Sequence, residues 1–129
     1  MKIVCLIPAK ANSQRVKNKN LRLINNKPLL EHVIINAKKS KIFEEIFVST
    51  ESNKIKKIAE KNGASVPFLR NKSLSKADTP VDKVIFEFLR IMDKKLLQID
   101  ALCILYPTSI FINHKIIKKC FNTFKKREI

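Results

Sequence analysis

Cations and hydroxyl groups follow the predicted strands of this sequence, and such residues suit phosphate chemistry. The apolar run Ile3–Pro8 leads into a polar loop with four cations, Lys10, Arg15, Lys17 and Lys19. Ligands of open α/β sheets bind beyond the carboxyl ends of the strands. The loop therefore predicts a phosphate site. It holds almost no glycine, so side chains would do much of the binding.

Polar residues after the other predicted strands would join this loop at the same sheet edge. They are Ser49, Thr50 and Glu51 after the second strand, Arg70, Ser75, Asp78 and Thr79 after the third, and Thr108 and Ser109 after the fourth. Positioning and charge stabilisation supply most of what phosphoryl or nucleotidyl transfer requires. The edge therefore predicts a site for a polyphosphate and a polar base or sugar.

Apolar runs that alternate with helical patterns predict the scaffold for these loops. The predicted strands are Val4–Pro8, Ile46–Thr50, Ser65–Leu69 and Ala101–Tyr106. Four helices are predicted. The first opens at Lys27-Pro28, and the second runs from Ser52-Asn53 to a cap at Asn62-Gly63. The third starts at Pro80, and the fourth spans Ile112–Lys126. This alternation predicts one α/β domain with a mainly parallel sheet.

Helical spacing also predicts which side chains face the core. In the third helix they are Val81, Val84, Ile85, Phe88 and Leu89, and in the last helix Ile116, Ile117, Cys120, Phe121 and Phe124.

The charge of the chain raises the alternative of a nucleic-acid-binding module. The 129 residues carry a formal net charge of +16. The lysines are spread over every predicted helix, and one Tyr and no Trp provide no stacking platform. We therefore expect a solvated lysine-rich surface and no nucleic-acid partner. No apolar run is long enough to span a bilayer, so we also expect no membrane partner and a cytoplasmic location.

Several kinds of catalytic or metal site find no support in the sequence. Cys5, Cys103 and Cys120 show no CxxC spacing and are predicted to be buried reduced thiols. His32 and His114 are isolated, and no cluster has metal-ligand spacing, so no metal ligand is predicted here. Neither a Walker motif nor a GxGxxG fingerprint is present, and nothing matches a Ser-His-Asp set.

Five ordered segments resemble those of the cytidylyltransferases that activate nonulosonic acids, the group that contains CMP-sialic acid synthetases. They are IPAKANSQRVKNKNL, KPLLEHVI, EIFVSTES, VPFLRNKSLSKADTP and YPTSIF. The VPFLR segment and Tyr106 favour the pseudaminic acid branch over the sialic acid branch. The resemblance runs from Met1 to about Phe111. It implies a three-layer, Rossmann-like nucleotidyltransferase fold, with residues 1–129 as an amino-terminal, nucleotide-binding part that is apparently truncated.

The resemblance also implies a reaction and its partners. The anomeric hydroxyl of a nonulosonic acid attacks the α-phosphate of CTP, and pyrophosphate is released, in surface glycan biosynthesis. Mg²⁺ is implied as cofactor, with its ligands largely beyond this part of the family pattern, and the complete enzyme is implied to be a homodimer. By motif, Lys10 and Lys19 are the catalytic cations. The nucleotide-binding residues are Lys10, Ser13, Arg15, Lys19, Asn20, Arg70, Asp78 and Thr79, and the sugar-binding residues are Tyr106, Thr108 and Ser109.

The chain departs from the family pattern in both residues and length. Lys10 stands where the family has arginine, Ala11 and Asn12 replace glycines, and Gln14 replaces a lysine. Family members usually continue for most of another chain this long. Two alternatives therefore stay open, an inactive remnant that binds nucleotide weakly and an enzyme with sialic acid specificity. An unfinished sheet also predicts poor solubility or oligomer formation.

Overall fold

Strands and helices alternate along the chain, as the sequence pattern predicts. The computed structural model describes residues 1–11, 19–76, 79–95 and 97–127. The elements are β1 (Ile3–Pro8), β2 (Leu23–Ile24), β3 (Lys27–Pro28), α1 (Leu29–Ser40), β4 (Glu45–Ser49), α2 (Asn53–Lys61), α3 (Val81–Lys94), β5 (Ala101–Ile104) and α4 (His114–Lys126). None of the helices in these ranges is long and apolar enough to cross a bilayer.

A parallel sheet with strand order β4-β1-β5 forms the centre of the fold. β1 is its middle strand, and Cys5 lies opposite Ile46 on one side and Cys103 on the other. Residues Ile3 to Ile7 are all buried, because helices cover both faces of a parallel sheet. The prediction of a mainly parallel sheet is confirmed.

Alternate residues of β1 point into two separate cores. Cys5 and Ile7 pack with buried residues of α1, α2 and α4. Val4 and Leu6 pack on the opposite face with Phe88 of α3. Helices therefore flank the sheet on both faces, which confirms the three-layer arrangement.

Side-chain caps fix the starts of two helices. The Ser52 hydroxyl accepts a hydrogen bond from the Ile55 amide (3.3 Å) at the start of α2. Asn113 accepts from the Ile116 amide (3.0 Å), so α4 begins at His114 and not at the predicted Ile112. Gly63 follows α2 with φ +89°, the left-handed conformation that a glycine after a helix supplies.

The prediction of a third strand over Ser65–Leu69 is wrong. The segment makes a single parallel bridge to β4 at Ser65. Pro67 has no N–H to continue a ladder, so regular pairing stops there. The segment still runs beside β4 as far as Arg70, whose amide donates to the Thr50 carbonyl (2.7 Å). Arg70 therefore reaches the sheet edge that the strand prediction gave it.

A short hairpin of β2 and β3 was not predicted. Asn25 and Asn26 both have positive φ, 51° and 64°, as a two-residue hairpin turn requires. Pro28 pairs with Leu23 in this hairpin and precedes α1, which begins at Leu29. Similarly, Pro80 is the cap before α3 and not its first helical residue.

The outer helices bury narrower faces than their apolar patterns predict. Val84, Phe88 and Met92 of α3 are buried, whereas Val81 and Leu89 are exposed. In α4, Ile117 is the residue that becomes buried. Three residues of α4 predicted to face inward are exposed, namely Ile116, Cys120 and Phe124. Nothing among the described residues covers that side of α4.

The three cysteines are free thiols in different environments. Cys5 and Cys103 face each other across β1 and β5. A hydrogen bond with Cys103, together with burial, raises the pKa of the Cys5 thiol. Cys5 is buried, as predicted, and its thiol stays protonated. The prediction of burial is wrong for Cys103, which is only partly buried, and for Cys120, which is exposed because α4 turns it toward an open groove.

An apolar groove of about 340 Å³ lies between β5 and α4. Its walls include Phe43, Cys103, Ile112, Ile116 and Phe124. Among the described residues, β5 pairs only with β1, so its outer edge is unpaired. Unpaired strand edges and contiguous apolar surface promote association.

We expect the isolated chain to associate reversibly through this groove. Sedimentation velocity across a concentration series should show species larger than the 14.9 kDa monomer. Phe124→Lys should shift the distribution toward monomer. Phe86→Lys is the matched control, because Phe86 is exposed on α3 and does not line the groove. A monodisperse wild-type monomer at every concentration would contradict this expectation.

Candidate functional site

A cavity of about 200 Å³, lined by both polar and apolar residues, opens where β1 and β5 end. Six of the residues predicted to form the site line it: Lys10, Asn20, Arg70, Thr79, Tyr106 and Thr108. The apolar groove beside α4 is larger, but none of the predicted site residues lines it. The cavity at the ends of β1 and β5 is therefore the candidate functional site.

The other predicted residues have different positions. Lys19 begins a short 3₁₀ turn, Lys19–Leu21, that carries Asn20. Ser109 follows Thr108 but does not line the cavity, and its amide donates to the Tyr106 carbonyl (2.9 Å). Ser13, Arg15 and Asp78 lie outside the described residues.

Asn20 connects the first loop to the cavity. Its side chain is 2% exposed, and Nδ2 donates to the Lys10 carbonyl (2.6 Å). Oδ1 is buried and has no hydrogen-bond partner among the described residues. Buried polar atoms are normally paired. Asn20 therefore presents an acceptor for a ligand N–H or O–H group.

Arg70 is a buried cation in the wall of the cavity, only 6% exposed. Nη2 donates to the Ser49 carbonyl (3.1 Å), while the buried Nε has no partner among the described residues. Burial lowers the pKa of Arg70, and the negative charge of Glu51 acts in the opposite direction. The guanidinium keeps unused donors in a geometry that matches phosphate.

Glu51 lies behind this wall, in the turn that follows β4. One carboxylate oxygen, Oε1, accepts a hydrogen bond from the Ala11 amide. The other, Oε2, lies 3.8 Å from Arg70 Nη2. The sequence predicts that Glu51 lies at this sheet edge but not what it contacts. Its hydrogen-bond partner is the backbone amide of a residue distant in the chain, and such a partner leaves no sequence pattern.

Part of the cavity wall was not predicted. Lys76 adds a third cation, and Leu74, Val81 and Val84 form an apolar side. Nearby, the Ser75 hydroxyl is buried without a hydrogen-bond partner among the described residues. Lys76 follows Ser75 in the loop between Arg70 and Thr79, and its position in that basic loop is the signal that could have identified it.

The charges of the cavity favour an anion. Lys10, Arg70 and Lys76 are cations, and no carboxylate is among the described residues that line it. Cations, an amide and hydroxyls surrounding one space can bind a polyphosphate and stabilise charge that develops on it. This chemistry needs no covalent nucleophile from the protein.

The described residues do not fit a Mg²⁺ site. Among them, no three His, Cys, Asp or Glu side chains are grouped so as to hold a metal ion. Mg²⁺ prefers oxygen ligands and usually takes carboxylates. The expectation of Mg²⁺ stays a prediction, and no step is derived through it.

Known proteins match almost the whole chain. A family model described as Cytidylyltransferase matches residues 4–129. A pseudaminic acid cytidylyltransferase of Campylobacter jejuni is 35% identical over 124 residues, covering 96% of this chain and 53% of that protein. A CMP-N,N'-diacetyllegionaminic acid synthase of Legionella pneumophila is 37% identical over 125 residues, covering 97% of this chain and 54% of that protein. The chain therefore spans about half the length of these curated relatives.

The fold is also similar to that of solved structures. A cytidylyltransferase structure from Leptospira borgpetersenii superposes with a TM-score of 0.76 at 27% identity. The similarity covers 99% of this chain and 50% of that one. It includes the sheet edge at which the cavity lies.

Proposed function

Because the chain belongs to the cytidylyltransferase family, we propose that the cavity at the ends of β1 and β5 binds CTP for transfer of CMP to a nonulosonic acid. The convergence of Lys10, Asn20 and Arg70 on one cavity carries this proposal. The acceptor we propose is pseudaminic acid, and the C. jejuni relative named for that substrate supports this choice.

The cations would act on the phosphates. Lys10, Arg70 and Lys76 neutralise the charge that a triphosphate brings into the cavity. The anomeric hydroxyl oxygen of the acceptor forms a bond to the α-phosphorus, the bond from that phosphorus to pyrophosphate breaks, and the hydroxyl proton is released to solvent. Lys10, together with Lys19 at the end of the same loop, would stabilise the charge that develops on the phosphates.

The residues of the cavity suggest separate roles. Asn20 Oδ1 can accept a hydrogen bond from the nucleotide. Tyr106 and Thr108, which follow β5 and line the same cavity, would begin the acceptor site. Mg²⁺ would accompany the triphosphate. Its protein ligands would come from the part of the family pattern that this chain does not span.

We expect CTP to bind and to stabilise the fold more than ATP does. A ligand at one hundred times its Kd stabilises a protein by about 2.7 kcal/mol. Calorimetric titration gives the affinities, and thermal unfolding checks the order. Lys76→Ala should weaken CTP binding, whereas Lys39→Ala, which removes an exposed lysine of α1, should not. Equal responses to CTP and ATP, or none, would overturn the proposal.

Catalysis requires a separate measurement. Pyrophosphate release from CTP and pseudaminic acid would support an active transferase, and N-acetylneuraminic acid tests the alternative acceptor. CTP binding without pyrophosphate release would support the alternative of a remnant that binds nucleotide and does not transfer it.

A further inference from the structure

The geometry points to Glu51 as a positioning residue that couples the first loop to Arg70 behind the cavity. The inference deepens the proposed function, since it assigns a residue to triphosphate binding. Glu51 does not line the cavity, so its carboxylate would act through other groups and not by touching the ligand. Its two oxygens contact two separate segments of the chain. One accepts from the Ala11 amide, and the other lies beside the Arg70 guanidinium.

The end of β4 already joins these two sides through backbone hydrogen bonds. The Ala9 amide donates to the Ser49 carbonyl (2.8 Å), and the Arg70 amide donates to the Thr50 carbonyl (2.7 Å). Glu51 is the next residue, and its side chain extends the first of these connections to Ala11. The polar loop with the predicted phosphate residues begins there, so its starting point depends on the Glu51 carboxylate.

The contact with Arg70 is one of charge and not of hydrogen bonding. The 3.8 Å separation between Glu51 Oε2 and Arg70 Nη2 exceeds hydrogen-bond distance. Both side chains are nearly buried, at 7% and 5% exposure, so water screens their attraction weakly. The carboxylate thus holds the guanidinium in place without occupying its donors, and those that the Ser49 carbonyl does not use remain available to a phosphate.

This placement fits a positioning role better than a purely structural one. Oε2 is buried without a hydrogen-bond partner among the described residues, which is a cost that a carboxylate selected only for packing would avoid. The cation beside it offsets that cost. Replacing Glu51 should therefore affect triphosphate binding more than nucleoside monophosphate binding, because the groups that it holds are those proposed to bind phosphates.

Two variants separate the two contacts. Glu51→Ala removes both, and we expect amide exchange at Ala11 to accelerate at least about tenfold, as loss of one buried hydrogen bond allows. Glu51→Gln keeps an oxygen for Ala11 but turns an amide group with N–H donors toward Arg70. We expect that variant to keep the exchange rate of Ala11 within about threefold and to lose about tenfold in CTP affinity, the size of a lost charged contact.

Glu45→Gln is the matched control. Glu45 is a glutamate at the start of β4 whose Oε1 accepts a hydrogen bond from the Ser65 hydroxyl (2.9 Å), and it does not line the cavity. NMR exchange at Ala11, titration with CTP and with CMP, and thermal unfolding should be measured for all three variants. We expect Glu45→Gln to leave both affinities unchanged, whereas the Glu51 variants weaken CTP binding more than CMP binding.

Specific results would overturn the inference. An unchanged rate of amide exchange at Ala11 in Glu51→Ala would show that the Glu51 carboxylate does not hold the Ala11 amide. A gain in CTP affinity for Glu51→Gln would show that the carboxylate merely repels phosphate. Equal losses for CTP and CMP would indicate a general structural role. If the wild-type chain binds no nucleotide, the proposed function fails, and Ala11 exchange in the free chain still decides whether Glu51 anchors the loop.

Discussion

Replacing Arg70 with methionine is expected to weaken CTP binding by about 10- to 100-fold. A hydrogen bond to a charged group contributes about 1.5–3 kcal/mol, and 1.4 kcal/mol corresponds to a factor of ten. Arg70 is the most buried cation of the cavity, and its Nε has no partner among the described residues. The loss should be larger for CTP than for CMP, since the guanidinium matches phosphate oxygens.

The same substitution should destabilise the fold. It leaves the buried Glu51 carboxylate without its neighbouring cation, and breaking a buried ion pair typically costs about 3–5 kcal/mol. Affinities must therefore be measured where circular dichroism shows a folded chain. Arg70→Lys keeps the charge and loses the fork of donors, so it separates the two effects.

Arg90→Met is the matched control for Arg70. Arg90 is an exposed arginine of α3 that does not line the cavity, and its replacement should change neither affinity nor stability appreciably. A folded Arg70→Met variant that binds CTP within about twofold of wild type, a change of well under 1 kcal/mol, would exclude Arg70 from the site.

The location of the candidate site was predictable where it depends on strand order. Parallel strands bring their carboxyl ends to one edge, so Lys10 after β1 and Tyr106 after β5 had to approach each other. Arg70 reached the same edge although its strand was predicted wrongly. Its segment still runs beside β4, and Pro67 removes regular pairing without changing that path.

Other features depend on contacts that leave no pattern in the sequence. Glu51 accepts a hydrogen bond from the amide of Ala11. Because almost every residue carries a backbone amide, the residue type at position 11 does not indicate this contact. The two asparagines at 25 and 26 could have indicated a hairpin, because both residue types tolerate positive φ. For α4, periodicity identifies the apolar face but not what covers it, so Ile116 and Phe124 were wrongly predicted to be buried.

Phe88→Ala is expected to destabilise the chain by about 3–5 kcal/mol, the usual cost of removing a buried phenylalanine. Phe88 is 1% exposed and connects α3 to the sheet. Its ring lies 5.1 Å from that of Phe47 and 6.3 Å from that of Phe68. Small domains have a free energy of unfolding of about 5–15 kcal/mol, so this loss would remove a large part of it and raise the fraction of unfolded chains.

Urea denaturation should show this as a large decrease in midpoint, with Phe86→Ala as the control on the same helix. Phe86 is 71% exposed, and its replacement should change the free energy of unfolding by no more than about 0.5 kcal/mol. Equal midpoints for the two variants would mean that the face of α3 carrying Phe88 does not pack against the sheet as described.

Phe88→Leu extends the test to the site. Leucine retains much of the buried volume, so the variant should fold, but it loses the ring contact with Phe68. Phe68 stands two residues before Arg70, and Val84, one turn before Phe88, lines the cavity. We therefore expect a folded Phe88→Leu chain to bind CTP several-fold more weakly, by less than about 1.4 kcal/mol. Unchanged affinity would show that backbone hydrogen bonds to β4 hold Arg70 without help from α3.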